Sequence, residues 1–455
     1  MTETNTPKDI NIIEGHAKEK LDSLRAPEGH GIFASRGTSF EYAVFGRDSI
    51  EAAEDLLTVD PALSKDVLLT MARLQGNEVN NITEEEIGRI HHEYRIRRLG
   101  DFAITKSSAA VLERLSPKWG GTKDKLLYYG SIDATPLFVR LSGNYIKKYG
   151  SGILNENIKD DSGNESLFSE HVIKSANWVK NKVEQSPWGM LEFKRSNPDG
   201  LPYQAWKDSA TAYMHDDGTF ARPDTGIAAV EVQGYAYDAL MTASRIGLFS
   251  REESNEFETT AKKLQENVLK YLWMDDKKYF AMGLDRDENC TIRQIKAFSS
   301  NAGTLLDSNL LFDLTEKERK KYTEPIVNEI MSDDFLTDVG IRSRALRHIN
   351  LPDNTGYHGS FVSWPKDTYD IAKGLRRHGY IDQANNLEDR LLKTVEKSKE
   401  FFEYYYIDQS GDVIYDYSTE EVRAKMKASG IPSTPEPGQA WTVTAILDIV
   451  NKRSN

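Results

Sequence analysis

Cysteine is nearly absent from this sequence: Cys290 is the one example in 455 residues. A single thiol rules out an intrachain disulfide and any metal site built on several cysteines. Long hydrophobic runs are missing as well, and no stretch approaches the ~18 consecutive apolar residues of a membrane span. The first twenty residues, MTETNTPKDINIIEGHAKEK, lack the basic-then-apolar order of a secretory signal. Basic runs are also lacking. Acidic side chains outnumber basic ones, 71 to 58, giving a formal charge of −13. A nucleic-acid binder needs a positive footprint, so no nucleic acid and no membrane is expected as a partner. The expectation is a soluble, cytoplasmic protein whose charge suits neutral or cationic ligands. Nothing in the sequence speaks to its oligomeric state.

What is present is a core and many helices. Hydrophobic residues make up 39% of the chain, with 21 Tyr, 17 Phe and 7 Trp. Ile10, Ile13, Ala17, Leu21 and Leu24 have the spacing of an amphipathic helix from Asp9 to Leu24. Further helices are predicted up to Leu57, from Pro61 to Leu74, and after Asp133. Others are predicted over 165–187, 227–248, 251–273, 299–309, 315–332, 364–378, 381–400, 418–429 and 438–451. A strand pair is expected near 278–282 and 291–296, and Phe401 to Tyr417 reads as a hairpin around a Ser-Gly turn. GRIHHEYR, from Gly88 to Arg95, reads as a loop or short strand. No linker-like composition divides the chain. Residues 1–455 are therefore expected to form one all-α domain with minor β-hairpins, and residues 1–7 a disordered tail.

The stretch AWKDSATAYMHDDGTFARPDTGIAAVEVQGYAYDAL, Ala205 to Leu240, organises the functional reading. Asp208 lies two residues from Trp206, and a carboxylate beside an indole is an arrangement that raises an acid's pKa. Asp208 as a helix cap with Trp206 in the core is the plainer reading of the same residues. Polar clusters recur at helix junctions: Arg47-Asp48, His91 to Arg95 with His92, Asp133, Trp206-Lys207-Asp208, and Glu231 with Gln233. Tyr357-His358, Trp364 to Asp367, Glu403, and Gln439 to Trp441 continue the series. A ring of helical hairpins would bring such junctions to one cavity. Asp133 fits a cap or a ligand contact equally. His91, His92 and His358 lack metal-ligand spacing, and DRDEN, Asp285 to Asn289, lacks the glycine of a calcium loop. No metal and no cofactor is expected.

Several blocks match a known pattern in order. They are FGRDSIEAAEDLL, EIGRIHHEYR, YYGSIDATPLFVRLSG, WKDSATAYMHDDG, EVQGYAYDAL, SSNAGTLL, GIRS, YHGSFVSWPKDTYDIAKGLRRHG and PGQAWTVTA. On these the chain resembles the amylo-α-1,6-glucosidases of the glycogen-debranching type, within the six-hairpin glycosidase superfamily. The resemblance runs from about residue 40 to 447. It implies an (α/α)₆ toroid and hydrolysis of terminal α-glucosidic bonds with inversion, in oligosaccharides or glycogen stubs. It implies Asp208 as general acid and Glu403 as base, with Glu436 in STPEPGQAW as the competing base. Sugar contacts are implied at Arg47 and Asp48. Trp364 and Trp441 read as core residues, or one of them as a platform stacking on a sugar ring. Lys366 and Thr368 depart from the His and Asn more usual in relatives. Many relatives carry an N-terminal β-domain for which there is no room before Phe45, so short substrates are expected over polymer. Glucosylglycerate- or mannosylglycerate-type hydrolysis, a trehalase-like activity, a six-hairpin phosphorylase and a non-catalytic carbohydrate-binding protein are the alternatives.

Overall fold

The computed structural model describes residues 10–37, 39–428 and 434–454. In chain order its helices are α1 Ile10–Leu24, α2 Gly46–Asp55, α3 Pro61–Arg73, α4 Lys106–Trp119 and α5 Ala134–Tyr149. They continue with α6 Phe168–Gln185, α7 Val230–Arg245, α8 Arg251–Tyr271, α9 Asn301–Thr304, α10 Asn309–Phe312 and α11 Glu316–Ile330. The last are α12 Pro365–Arg377, α13 Ile381–Ser398, α14 Glu420–Ala428 and α15 Ala440–Ser454.

Two kinds of helix alternate along the chain. In α8 only Phe257, Thr260, Ala261, Leu264 and Val268 are buried, a stripe at three- and four-residue spacing. In α7 every residue from Val230 to Met241 is buried, as is nearly all of α2. A helix buried all round belongs to an inner layer, and a striped one to an outer layer. The inner helices α2, α5, α7, α9, α12 and α15 contact one another in that order, and α15 closes on α2. The hairpin partners α3, α6, α8, α11 and α13 follow the inner helices, and α1 covers α15. The fold is an (α/α)₆ toroid.

Side-chain caps are distributed unevenly. Asp60, Thr105, Ser250 and Thr315 cap α3, α4, α8 and α11 through their side-chain oxygens. The inner helices α2, α5, α7 and α12 have no side-chain cap. Three of them are entered from a short strand: Val44–Phe45 before α2, Ala228–Ala229 before α7, and Val362–Ser363 just before α12. Val44–Phe45 pairs with Glu93–Ile96, which pairs in turn with Lys125–Tyr128. These small sheets fix where each inner helix begins and leave its first turn facing one end of the ring.

Some expected elements differ. The helix expected over 299–309 is broken: a 3-10 turn, Leu305–Asp307, separates α9 from α10. Ser308 is extended there, and its hydroxyl accepts from Leu310 N and donates to Gly234 O, which restarts the chain as a new helix. Gly283–Arg286 pairs with Ile292–Ile295, whereas Tyr279–Phe280 pairs with Trp273–Met274. In the expected hairpin, Ile407 bridges Val413, but Tyr405–Tyr406 pairs with Val362–Ser363. α4 is not among the expected helices. The expected tail at 1–7 and residue 429 of the expected helix at 418–429 lie outside the described residues. No helix among the described residues is long and apolar enough to cross a membrane.

Candidate active site

A cavity of about 320 Å³ opens at the end of the ring where the inner helices start. The first turn of α2 supplies Arg47 and Asp48 to its floor. Arg47 Nη1 donates to Asp133 Oδ2 at 3.1 Å and Nη2 to Asp208 Oδ2 at 3.4 Å, while Nε lies 3.6 Å from Asp48 Oδ1. One guanidinium thus serves three carboxylates. Burial pulls the Arg47 pKa down, but Asp133, Asp48 and Asp208 outweigh it and keep the cation charged. Burial lifts Asp208 to about 6, against the opposing pull of Arg47. Asp48 is lifted to about 6 for the same reason. The Asp208 side chain keeps 27% of its surface exposed, so the raised carboxyl remains reachable. Asp133, fully buried, does not cap α5; it accepts from Ser131 Oγ at 2.6 Å and fixes Arg47 from below.

Aromatic side chains form the wall around this charge. Trp206 meets Trp364 edge-on at 4.7 Å between ring centroids, His358 at 5.2 Å and Trp441 at 5.8 Å. Lys366 Nζ lies 4.9 Å from the centre of the Trp206 ring and is paired with Glu51 and Asp370. His92 packs edge-on against Phe45, Tyr128 and Trp119. Burial drives both His92 and His358 well below the usual histidine range, so both rings are neutral. Several buried polar atoms of this wall have no hydrogen-bond partner: Asp48 Oδ1, Trp206 Nε1, Trp441 Nε1 and both ring nitrogens of His358. Such atoms suit a ligand carrying many hydroxyls.

Glu403 enters the cavity from the segment before Tyr405. Tyr357 donates to its Oε1, and the Glu436 amide donates to its Oε2 at 3.4 Å. Burial raises the Glu403 pKa well above the carboxylate range, Tyr357 opposes the rise, and Glu436 adds to it. Glu436 itself does not line the cavity. Its carboxylate accepts from Ser39 N at 3.0 Å and Ser35 Oγ at 3.4 Å, tying Ser35 and Ser39 to the chain before α15.

Of the residues singled out in the sequence, Arg47, Asp48, His92, Glu93, Arg95, Trp206, Asp208, Tyr357, His358, Trp364, Glu403 and Trp441 share this cavity. The others stand behind it. Lys207 Nζ donates to Ser300 Oγ and the Ser343 carbonyl and pairs with Asp367. Gln233 bonds both backbone groups of Leu191 and the Ala229 carbonyl. Tyr213 donates to Glu231 at 3.2 Å, and Gln439 Nε2 donates to Asp48 at 3.5 Å. Lys207 and Gln233 are therefore engaged with the protein, while Asp133 and Gln439 act through Arg47 and Asp48. The sequence reading missed the wall supplied by α4, including Arg114, Lys118 and Trp119, together with Phe40. The cap Thr105 and the left-handed Gly120, at φ 74°, were the legible signals of that helix. Among the described residues no group of three or more His, Cys, Asp or Glu side chains could hold a metal ion.

The fold has solved counterparts. The chain is similar to the GH63 mannosylglycerate hydrolase from Thermus thermophilus in complex with glucose. The TM-score is 0.60 at 12% identity, covering 97% of this chain and 100% of that one. It is also similar to a wild-type glycosidase, with a TM-score of 0.55 at 9% identity, covering 98% and 97%. At such identities the likeness concerns the fold alone. A search of curated protein sequences found no match. The model of the mannosylglycerate hydrolase MGH1-like glycoside hydrolase domain matches residues 169–418, a segment that includes Asp208 and Glu403. That segment is more than half of the chain, which therefore belongs to the MGH1-like glycoside hydrolases.

Proposed function

We propose that this glycoside hydrolase cleaves the α-glycosidic bond of a small glycoside whose aglycone is a hydroxy acid, of the mannosylglycerate or glucosylglycerate kind. One observation carries the reading: Asp208 and Glu403 line the same cavity, beside buried polar atoms that have no protein partner. The family match supports the aglycone class. Asp208, raised by burial, is the general acid: its proton passes to the glycosidic oxygen as the bond from that oxygen to the anomeric carbon breaks. Glu403 is the base: it takes a proton from a water that attacks the anomeric carbon from the opposite face. The sugar leaves with inverted configuration, the hydroxy acid leaves neutral at its new hydroxyl, and solvent resets both carboxyls. Room for the water requires the two carboxyls to stand roughly 6.5–9.5 Å apart when substrate is bound. Arg47 and Asp48 grip neighbouring hydroxyls of the terminal sugar, a fork-shaped donor beside an acceptor.

The amylo-α-1,6-glucosidase reading is the competitor, favoured by the ordered sequence blocks from residue 40 to 447. The cavity sits near the lower end of the roughly 300–1,000 Å³ range of small-ligand pockets, which favours a disaccharide-sized substrate over a glycogen branch. Sugar release should be measured from glucosylglycerate, mannosylglycerate, isomaltose, panose, trehalose and a glycogen limit dextrin, with and without phosphate. The highest kcat/KM is expected on a glycerate glycoside, with the β-anomer appearing first by NMR. A strong preference for the limit dextrin would establish the competitor. Dependence on phosphate would make the enzyme a phosphorylase, and an α-anomer as first product would refute inversion.

A further inference from the structure

One face of α4 forms a wall of the cavity. Val111, Arg114, Leu115 and Lys118 recur at three- and four-residue spacing, so a single stripe of the helix meets it. Arg114 and Lys118 are exposed, and neither side chain has a hydrogen-bond or ion-pair partner among the described residues. The one acid on α4, Glu113, is engaged by Arg97 instead. Other exposed cations of the chain lack a carboxylate too, but Arg114 and Lys118 are two such cations in the lining of the cavity that holds Asp208 and Glu403. The floor of the same cavity is its other pole and has the opposite character, with Asp48 and Asp208 gathered on Arg47 and Asp133 behind them. A carboxylate-rich floor and a cationic rim impose a direction on any charged ligand. An anion is repelled from the floor and drawn to the rim, whereas an uncharged sugar ring can occupy the floor.

We propose that Arg114 and Lys118 bind the carboxylate of the aglycone, and so set both the orientation and the specificity of the substrate. The inference rests on the hydroxy-acid reading above and assigns the residues that would carry it. It also replaces the expectation, drawn from net charge, of a neutral or cationic ligand: the local field at the rim is opposite to that of the whole chain. With the anion at the rim, the sugar points inward, which places its glycosidic oxygen between the two poles and beside Asp208.

The test is the double variant Arg114→Met and Lys118→Met, which keeps the apolar stems and the helix propensity of α4. kcat/KM is measured on glucosylglycerate and on glucosylglycerol, its uncharged analogue, and D-glycerate binding is followed by calorimetry. The ratio of kcat/KM, charged over uncharged substrate, should fall about tenfold or more, chiefly through KM. D-glycerate binding should be lost, and in the parent protein it should weaken with salt. An unchanged ratio, or D-glycerate binding unaffected in the variant, overturns the assignment. The hydroxy-acid reading fails separately: the parent protein would then prefer isomaltose or panose to either glycerate glycoside. In that event loss of D-glycerate binding in the variant still supports the cation pair, and no binding to the parent protein refutes it.

Discussion

At the scale of single residues, burial rather than sequence neighbourhood sets the chemistry. Trp206 is the neighbour in sequence expected to raise Asp208, and both line the same cavity. The fold also brings in Arg47, whose charge pulls Asp208 back down. The long separation between Arg47 and Asp208 hides that opposition from any local reading. If Asp208 donates the proton, Asp208→Asn should fold normally and lose at least ~10²-fold in kcat. A glycosyl fluoride, whose leaving group needs little protonation, should be partly spared; equal losses on both substrates would count against the role. Glu403→Gln should abolish turnover, whereas Glu436→Gln, outside the cavity, should retain most of it. Tyr357 offers a sharper probe, because its hydroxyl favours the ionised form of Glu403. Tyr357→Phe removes that support and raises the Glu403 pKa further. The acid limb of the kcat/KM profile should therefore move to higher pH. An unshifted acid limb would mean that Glu403 is not the group titrating there.

At the scale of elements, periodicity located the long helices other than α4 to within a few residues and failed where two elements press together. The outer helices carry caps and a single apolar stripe, both visible in sequence. The break between α9 and α10 is set by tertiary contact, because α12 packs directly on the 3-10 turn at Gly374. A Cβ there would lie 2.5 Å from Leu306 Cβ and 2.6 Å from the Leu306 carbonyl carbon. Residue propensity alone says that Gly374→Ala should help a helix by roughly 1 kcal/mol. The packing says the opposite, and the substitution should destabilise by about 1–3 kcal/mol in denaturant unfolding. Gly15, exposed in α1 with nothing near its missing Cβ, supplies the contrast. Gly15→Ala should stabilise by roughly 0.5–1 kcal/mol. Two helical glycines changing stability in the same direction would show that the close approach at Gly374 is relieved by movement of α12. The tertiary register of the segment near Glu403 was equally out of reach, since Tyr405–Tyr406 finds its partner strand far upstream, at Val362–Ser363.

At the scale of the whole molecule, charged side chains also line the inner helices behind the cavity. Lys366 joins Glu51 and Asp370, Lys373 joins Asp370 and Asp55, and Arg140 faces Glu54, Asp238 and Asp307. Six carboxylates thus share three cations, all contributed by inner helices or the turn at 305–307. Burial lifts Asp55 to about 7, Asp238 to about 6 and Glu51 to about 8, while Lys366 and Lys373 hold Asp370 below its ordinary range despite its burial. For the raised groups the folded protein keeps protons that the unfolded chain releases above about pH 4. Their contribution to stability is therefore complete below pH 4 and is lost as pH rises through 6 to 8. Asp370 works the other way, but its contribution is lost only as pH falls below about 4. Burial also lowers His91, His92, His171, His348, His358 and His378, whose contribution grows as pH rises to about 6.5 and opposes the raised carboxyls up to there. Above that the raised groups decide the slope, so the melting temperature should fall from pH 7 to 8. Lys373→Met should cost about 3–5 kcal/mol, because Asp55 and Asp370 are left without a shared cation. It should also steepen the fall with pH, since both carboxyls then hold protons more tightly in the folded state. Calorimetry at pH 5, 6, 7 and 8 on both proteins decides the matter. A melting temperature that rises from pH 7 to 8 would mean that the inner helices relax enough to solvate these carboxylates. They would then be a poor support for the first turns that carry Arg47 and Asp48.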